Sequence, residues 1–471
     1  MTDSVLIVGA GVAGLHAATE CANAGARAIV VEQGPVVGGK LAAAMTKALA
    51  IGDRAEGDSV PLFEALAGNE NIEIITLANL ESIEGRPGNF TVSIRERARF
   101  VTDACTRCKL CRAACPVVRP NEFDAGLTYR KAIYAPMAET LPGEWVIDIQ
   151  SCLNTPPNYL PCHRCVDVCA DDAIHFDLPL DTVHRHVVGA VILAPGFRID
   201  DNASFTELGY GAHPDILMSA ELQRLLESPG PTGGYASKPS NEDYPESVLL
   251  VLDDMSHFAL YIVASQVHQL LEQDVETVAV LVLSQLTQER ENARVQELAD
   301  KADVKISTGT MFKVDPTPEN SLSVSYEDFS TNRLVKETYD MVVLCSDVAP
   351  PSGLADLAQT TGIELAESGY IAISGANGDG VSTSKPGVFV AGCASGAMTI
   401  KDSIASARTA AGDALANLNQ TLLRPDYVPQ QAPQELAPGP APAAASADIP
   451  EHEKRARIEQ LLYALLNKAD A

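Results

Sequence analysis

The N-terminal sequence reads Ser4-Val5-Leu6-Ile7-Val8-Gly9-Ala10-Gly11-Val12-Ala13-Gly14, an apolar β-branched run that leads into a glycine-rich turn. Small helix-forming residues follow from Leu15 to Ala24, and a second apolar run follows from Ala28 to Glu32. Short apolar runs of this kind predict buried strands, and the segment between them has the composition of a helix. The sequence therefore predicts a β-α-β unit at the start of an α/β protein.

The turn carries the spacing G-x-G-x-x-G at Gly9, Gly11 and Gly14, with an acidic strand end at Glu32. In dinucleotide-binding folds the first glycine makes the tight turn, the second lets backbone approach the pyrophosphate, and the third lets the helix pack closely on the strand. The acidic residue accepts hydrogen bonds from ribose hydroxyls. A dinucleotide site is predicted here, and the alternative is a glycine-rich turn that binds no ligand. A second glycine step, Gly38-Gly39-Lys40, is similar to one in flavoproteins with two dinucleotide-binding domains, which favours FAD over NAD.

Cysteine spacing is the stronger signal. Of 11 cysteines, those in the middle of the chain form two runs, Cys105-x2-Cys108-x2-Cys111-x3-Cys115-Pro116 and Cys152-x9-Cys162-x2-Cys165-x3-Cys169. The first is the bacterial ferredoxin run, in which three thiolates hold one [4Fe–4S] cluster and the fourth reaches the other cluster. The second run is the same pattern with its first interval stretched. Two [4Fe–4S] clusters are therefore predicted as metal sites.

Ferredoxin pairing assigns the ligands crosswise between the two runs. One cluster takes Cys105, Cys108, Cys111 and Cys169, and the other takes Cys152, Cys162, Cys165 and Cys115. Zinc is the competing metal because Cys₄ sites also use C-x2-C pairs, but zinc would not explain two complete quartets. His163 is expected to be exposed or to lie outside the ligand set, since four thiolates are available.

Charge and hydropathy exclude several classes of protein. The 471-residue chain has 62 acidic and 34 basic residues, for a net charge of −28, which opposes binding to nucleic acid or to anionic lipid. No apolar stretch is long enough to span a membrane and no signal peptide is evident, so a cytoplasmic protein is expected. Cys21, Cys345 and Cys393 stand alone in apolar surroundings and are expected to be core residues.

A second α/β rhythm runs through Ser247 to Leu252, a helix near Ala259 to Leu271, and Val275 to Leu283. The turn after its first strand, Leu252-Asp253-Asp254-Met255-Ser256, has no glycine and places two carboxylates where a pyrophosphate would need backbone N–H groups. The second unit is therefore expected to bind no nucleotide.

Later apolar runs complete the expected organisation. The run from His186 to Gly196 reads as one buried strand ending in a turn, and a proline-rich segment near the C-terminus reads as a linker before an amphipathic helix. The expected domains are a discontinuous FAD-binding domain (1–98, 185–240 and 346–422), a ferredoxin-like insertion (99–184), a second dinucleotide-binding-like domain (241–345), a linker (423–450) and a docking helix (451–471). The alternative for residues 451–471 is a helix that packs back on the body of the same chain.

Beyond these motifs, the chain resembles the HdrA family, the flavin and iron–sulfur subunits of heterodisulfide reductases, and its relative QmoA of a quinone-interacting membrane-bound oxidoreductase complex. The resemblance covers most of residues 4–420 and includes the phrases at 87–92, 119–123, 130–134, 230–234 and 386–392. It implies an α/β flavoprotein with two Rossmann-like domains and an inserted two-cluster ferredoxin-like domain. It also implies that Gly392 belongs to the FAD site.

The chain departs from the resemblance at two places. The segment Ile51 to Gly57, where family members carry a cysteine, has none, and the turn Leu252 to His257 lacks the further cysteines that many members carry there. Cluster or thiol chemistry at those positions is therefore not expected. The flavin turn and the cysteine insertion remain.

The resemblance implies an electron-transfer subunit of an oxidoreductase complex, with no catalytic residue of its own. Expected partners are HdrB/HdrC-like or QmoB/QmoC-like subunits, with adenylylsulfate reductase as a further candidate and membrane contact only through partners. Two alternatives remain at this point. One is a self-contained NAD(P)H-dependent flavin or disulfide oxidoreductase, and the other is an assembly scaffold with degenerate cofactor sites.

Overall fold

The computed structural model describes residues 3–40, 66, 69–136, 142–143, 145–199, 204–228, 230–253, 257–283, 304–374 and 380–418. These residues form two compact units. The first unit contains the described chain up to Arg198 and from Ala349 onward, and the second contains Ile199–Val348. The expected linker 423–450 and docking helix 451–471 lie outside the described residues.

The beginning of the chain forms the predicted β-α-β unit and a hairpin. Its elements are β1 (Ser4–Val8), α1 (Val12–Asn23), β2 (Arg27–Val31), β3 (Ile72–Ile75), β4 (Ala78–Arg86) and β5 (Asn89–Arg97). The helix α1 begins directly after Gly11, earlier than the composition suggested, because the glycine turn itself leads into the first helical turn.

The cysteine-rich insertion consists of short elements. They are α2 (Leu110–Ala114), β6 (Arg119–Pro120), β7 (Tyr129–Arg130), β8 (Ile133–Tyr134), β9 (Val146–Ile147) and α3 (Arg164–Asp167). Strand β6 pairs with β7 and β8 pairs with β9, all antiparallel. The insertion has a small core in which Phe100, Ile133, Trp145 and Ile147 pack with buried cysteines. Such short elements cannot bury much apolar surface by themselves.

The remaining elements complete both units. They are β10 (Asp181–Val188), β11 (Ala190–Leu193), β12 (Arg198–Ile199), α4 (Ser204–Glu207), β13 (Ile216–Met218), α5 (Ser219–Leu226), β14 (Ser247–Leu252), α6 (His257–Leu271), β15 (Thr277–Val282), β16 (Lys305–Pro316), β17 (Leu322–Asp328), β18 (Arg333–Tyr339), β19 (Met341–Cys345), β20 (Val348–Ala349), α7 (Leu354–Thr361), β21 (Val388–Val390) and α8 (Ile400–Ala416).

The first unit is built on a parallel sheet of order β21-β11-β1-β2-β3. Helices α1 and α8 pack on each other, and alanines such as Ala18, Ala407 and Ala411 bring them close to one face of the sheet. An antiparallel sheet of order β10-β5-β4 covers the other face, with Phe90 and Val92 in the core between them. The parallel sheet is buried on both faces, as expected for a Rossmann-like fold.

One expected strand is divided in the structure. The run from His186 to Gly196 contributes β10 to the antiparallel sheet and β11 to the parallel sheet, with Gly189 between them. The Gly189 N–H donates to the Ser4 carbonyl and its own carbonyl accepts from Gly88. The chain therefore changes sheets at a residue that the apolar pattern does not distinguish from its neighbours.

The second unit has a mixed sheet of order β13-β19-β14-β15-β16-β17-β18. Its first five strands are parallel, and β16, β17 and β18 form an antiparallel meander. Strand β13 pairs with β19, so residues 216–240 belong with this unit, whereas the boundary expected from sequence lies at residue 240. The boundary differs because Ile216 pairs with Val342, and a local sequence pattern cannot predict a pairing between residues so far apart.

Candidate flavin site and cysteine cavities

Two glycines of the N-terminal turn are required by close packing. Gly9 has a φ of +106°, and a Cβ there would overlap the Ala194 carbonyl oxygen. A Cβ on Gly14 would lie far inside 3.0 Å of the Gly9 carbonyl oxygen. The Gly9 N–H donates to the Val31 carbonyl at 2.8 Å, which ties the turn to β2. These contacts explain the first and third glycines of the pattern without any ligand.

The middle glycine has a different environment. A Cβ on Gly11 would meet no atom within 4 Å, and Gly11 has an ordinary negative φ of −79° as the N-cap of α1. Gly39 packs against it, since Gly39 has a φ of +57° and a Cβ on Gly39 would lie 2.9 Å from the Gly11 Cα. Free backbone N–H groups at the start of a helix attract phosphate groups. The open space at Gly11 therefore fits the approach of a pyrophosphate.

The Glu32 carboxylate lies beside this turn. Its Oε2 accepts from the Ala10 N–H at 2.8 Å and its Oε1 accepts from the Gly34 N–H at 2.7 Å. The Gly38 N–H donates to the Ala10 carbonyl at 2.7 Å, so the second glycine step is held against the first. Each carboxylate oxygen keeps lone pairs beyond the bond it accepts, which leaves Glu32 able to accept ribose hydroxyls.

Gly392 and Lys40 complete the residues predicted for this site. Gly392 has a φ of +65°, and a Cβ on it would lie 2.7 Å from the Cβ of Ala13, in the first turn of α1. The structure thus brings Gly392, distant in sequence, to the same helix end. Lys40 is exposed, with its Nζ 6.0 Å from the centroid of the Phe197 ring.

Sequence reasoning missed two arginines that contact the loop after the glycine turn, Arg97 at the end of β5 and Arg99 at the start of the insertion. The Arg99 guanidinium donates to the Pro35 carbonyl and, at 3.0 Å, to the Thr76 hydroxyl. Arg97 donates to the Gln33 carbonyl at 3.3 Å. Both arginines therefore hold the loop between Glu32 and Gly38. No local sequence signal could reveal these contacts, because each joins residues 64 positions apart.

The cysteines of the insertion line two cavities, each with an empty volume of about 340 Å³ that includes space open to solvent. The Cys105 cavity is lined by Cys105, Cys108, Cys111 and Cys169. The Cys152 cavity is lined by Cys115, Cys152, Cys162 and Cys165. In each cavity three cysteines come from one run and the fourth comes from the other run.

Apolar side chains form most of the remaining walls. Ile133, Ile147 and Phe176 line the Cys152 cavity. Trp145 and Ile174 line the Cys105 cavity. The two cavities differ in exposure: the Cys152 cavity has three buried cysteines, whereas the Cys105 cavity includes the exposed residue Cys108.

Backbone geometry brings the first run around its cavity. Arg107 and Lys109 flank Cys108 and have φ values of +58° and +67°. Non-glycine residues seldom adopt this left-handed conformation, which is costly by about 1–2 kcal/mol per residue. Helix α2 then begins and contacts α3 of the second run. The two left-handed residues turn the backbone so that Cys105, Cys108 and Cys111 line the same cavity.

Burial raises the pKa of several cavity thiols. Desolvation raises the pKa of Cys111 to about 11 and that of Cys165 to about 12, and neighbouring thiols reinforce the effect. Without metal these thiols are therefore neutral at pH 7, and binding a metal would release their protons. In the described part of the chain, no three or more His, Cys, Asp or Glu side chains are arranged to hold a metal ion. The sulfurs are instead spread around the two cavities.

Comparisons with known proteins identify the family of this chain. A family model described as an FAD binding domain matches residues 4–64. The HdrA protein of Methanocaldococcus jannaschii, an iron–sulfur subunit of CoB–CoM heterodisulfide reductase, is 32% identical over 426 residues, which cover 87% of this chain and 63% of the relative. An HdrA protein of Methanopyrus kandleri is 30% identical over 459 residues, covering 93% of this chain and 67% of the relative. The chain belongs to the HdrA family.

The predicted resemblance to the HdrA family is thereby confirmed. The chain also has the predicted α/β fold, with two Rossmann-like units. It spans 63% of the length of the M. jannaschii relative. Among solved structures, thioredoxin reductase of T. acidophilum superposes with a TM-score of 0.47 at 17% identity, covering 88% of this chain and 97% of that one.

Three cysteines of this HdrA-family chain lie away from the cavities. Cys21, Cys345 and Cys393 are all buried. Burial raises the pKa of Cys21 to about 12 and also raises the pKa of Cys345 and Cys393. Cys21 is a buried residue of α1 and Cys345 is a buried residue of β19, which agrees with their expected role as core residues.

The turn that follows β14 in the second unit is described only as far as Asp253. The Asp253 N–H donates to the Cys345 carbonyl at 3.3 Å. Residues 254–256, which include the second carboxylate of the expected nucleotide-repelling turn, lie outside the described residues. For membrane insertion, none of the helices within the described ranges is both long enough and apolar enough to cross a bilayer.

Proposed function

We propose that this chain is an electron-transfer subunit of an oxidoreductase complex, carrying FAD and two [4Fe–4S] clusters. The observation that carries the proposal is the pair of four-cysteine cavities in the same compact unit as an FAD-binding turn. Membership of a family whose relatives are named iron–sulfur subunits supports the same conclusion. Both kinds of group carry electrons, so their combination in one unit suits transfer rather than bond-breaking chemistry.

The cavities support a specific ligand assignment. Cys105, Cys108, Cys111 and Cys169 would hold one cluster, and Cys115, Cys152, Cys162 and Cys165 would hold the other. A [4Fe–4S] cluster requires four thiolates around a common volume, and its reduction potential depends on exposure and hydrogen bonding to sulfur. Apolar side chains line part of each cavity, and the Cys105 cavity also has charged residues in its wall, Arg107, Lys109 and Asp171. The cysteines of the Cys105 cavity are the more exposed set, so we infer that a partner protein would exchange electrons with the cluster there.

The chain's own residues would bind and orient FAD. Gly11 leaves room for the pyrophosphate at the N-terminus of α1, and Glu32 would accept the ribose hydroxyls. Gly38, Gly39 and Gly392 shape the surrounding backbone, while Lys40 supplies a positive charge at the rim. Flavin exchanges electrons singly or in pairs and a cluster exchanges one at a time, which is the chemistry these groups supply when bound.

Partner subunits would provide the terminal substrate sites. The relatives are named as subunits of CoB–CoM heterodisulfide reductases. We infer partners of the HdrB/HdrC or QmoB/QmoC type, with adenylylsulfate reductase as one candidate at the end of the path. The chain itself would work in the cytoplasm and would contact a membrane only through such partners, since a net charge of −28 opposes direct binding to anionic lipid.

Cofactor content tests the proposal. The full chain, purified without oxygen, is expected to contain one FAD and about eight iron and eight acid-labile sulfide per chain, since each cluster holds four of each. A preparation that contains zinc but no acid-labile sulfide would show that the cysteines hold a structural zinc site and not iron–sulfur clusters. A preparation without flavin, iron or sulfide would instead support the assembly scaffold.

A self-contained NAD(P)H-dependent flavin reductase is the second candidate, because the second unit has a Rossmann-like parallel sheet. Its first turn contains Asp253 and Asp254, and carboxylates there repel a pyrophosphate. Mixing the anaerobic FAD-loaded chain with NADH in a stopped-flow instrument is therefore expected to leave the flavin oxidised over seconds. Dithionite provides the positive control for reduction. Rapid bleaching by NADH would establish the reductase instead.

A further inference from the structure

Four charged residues form a network beside the Cys152 cavity: Arg119, Glu122, Arg130 and Asp148. We propose that Asp148, held by Arg119 and Arg130, is the positioning residue that holds Cys115 and Cys152 at the two sides of this cavity. The inference rests on the proposed iron–sulfur function and adds a residue outside the cysteine runs on which one cluster depends.

Arg130 is the centre of the network and is only 6% exposed. Its Nε donates to Glu122 at 2.6 Å, its Nη2 donates to Asp148 at 3.0 Å, and its Cζ lies 3.9 Å from the centroid of the Tyr134 ring. A buried guanidinium is tolerated only where its donors are paired, and removal of a buried partner such as Asp148 leaves the charge of Arg130 uncompensated. The geometry of this part of the insertion is therefore strongly coupled to these carboxylates.

Asp148 makes hydrogen bonds to the short segment between β9 and Cys152. Its backbone carbonyl accepts from the Cys152 N–H at 2.9 Å, and its Oδ1 accepts from the Gln150 N–H at 3.0 Å. Its own N–H donates to the Ala132 carbonyl at 2.8 Å, and Ala132 lines the Cys152 cavity. The backbone and carboxylate of Asp148 together fix the tight turn from β9 to Cys152.

Arg119 joins the same carboxylate to the other cysteine run. It follows Cys115 closely in the chain, and its guanidinium donates to Asp148 Oδ2. Strand β6 also pairs Arg119 with Arg130 of β7. Cys162 and Cys165 lie on one short segment, whereas Cys115 and Cys152 come from different runs. The bond from Arg119 to the Asp148 carboxylate joins the segments that carry these two cysteines.

The test replaces Asp148 in the full chain, prepared and reconstituted without oxygen. Asp148→Ala is expected to lower iron and sulfide from about eight to about four per chain by loss of the Cys152-cavity cluster. In the reduced protein, the spin-coupled electron paramagnetic resonance signal of two neighbouring clusters should become the simple signal of one. Asp148→Glu, which keeps a carboxylate, should restore part of the lost iron.

Two controls keep the effect specific. Glu73→Ala removes an exposed ion pair with Arg27 elsewhere in the same unit, and it should leave iron and spectrum unchanged. Trp145 is the only tryptophan in the chain and lines the Cys105 cavity, so a bound cluster there should quench its fluorescence. Because Trp145 packs in the same core as cysteines of both cavities, part of that quenching should persist in Asp148→Ala while the other cluster remains bound.

The outcomes separate the inference from the function on which it rests. A wild-type chain that binds no cluster would remove the proposed function itself. A wild-type chain with two clusters and an Asp148→Ala variant with the same iron and the same spectrum would overturn the positioning role alone. If the Asp148→Ala protein does not accumulate or loses both clusters, Asp148→Asn is tested in its place, and the reduction potentials of its two clusters are measured. A shifted reduction potential for one cluster only supports the role, and two unchanged potentials refute it.

Discussion

Replacing Cys169 by serine is expected to empty the Cys105 cavity, although Cys169 belongs to the second cysteine run. It lines that cavity together with Cys105, Cys108 and Cys111. A [4Fe–4S] cluster held by only three thiolates in this partly exposed cavity should be lost on exposure to air, so iron and sulfide should fall by about half. The fluorescence of Trp145, in the wall of the same cavity, should rise as its quencher disappears.

The companion variant Cys115→Ser should have the reciprocal effect. Cys115 belongs to the first run but lines the Cys152 cavity, so about half of the iron should again be lost, with Trp145 remaining quenched. Cys345→Ser is the matched control, since Cys345 is buried in the second unit and lines neither cavity, and iron content should not change. If Cys115→Ser increased the Trp145 fluorescence more than Cys169→Ser did, each run would hold its own cluster and the crosswise assignment would be wrong.

Alanine at Gly11 is expected to separate flavin binding from folding. A Cβ there meets no atom within 4 Å and the backbone φ is ordinary, so the apoprotein should keep its stability to within about 0.5 kcal/mol. The same methyl group would stand where the pyrophosphate must approach the backbone. FAD affinity, measured by the fluorescence change on titrating the apoprotein, should fall at least about tenfold, or about 1.4 kcal/mol.

Gly14→Ala supplies the contrast. Its Cβ would overlap the carbonyl oxygen of Gly9, so α1 would have to move away from β1 at a cost of about 3 kcal/mol or more. Thermal unfolding of the apoprotein should therefore shift downward for Gly14→Ala and remain in place for Gly11→Ala. Unchanged FAD affinity in a stable Gly11→Ala protein would show that the pyrophosphate does not bind at this turn.

Much of the first unit could be predicted because its information is local. Strand β1, the glycine turn and α1 follow one another in the chain, and each is encoded by composition and period over a few residues. The same holds for β14, whose bounds Ser247–Leu252 match the expected run. Clusters of cysteine at fixed spacing are also local, which is why the sequence alone indicates metal chemistry in the insertion.

The expected domain boundary and the expected single strand from His186 to Gly196 differ from the structure for one reason. Strand β13 joins the second sheet only through its pairing with β19, and Gly189 separates β10 from β11 only because each finds a different partner strand. Apolar residues look the same whichever sheet they enter. Pairing partners distant in the chain decide the result.

The amino-acid sequence by itself determined the type of protein, a nucleotide-binding α/β chain with a cysteine-rich insertion. This was possible because the spacing of the glycines and the spacing of the cysteines are both local features of the sequence. The cysteine spacing also predicted the two sets of four that line the cavities. Only the tertiary structure decided which arginines hold the loop between Glu32 and Gly38, and how Asp148 connects the segments of Cys115 and Cys152. These contacts depend on where distant segments meet in space. Their energies come from burial and pairing that exist only after the chain has folded.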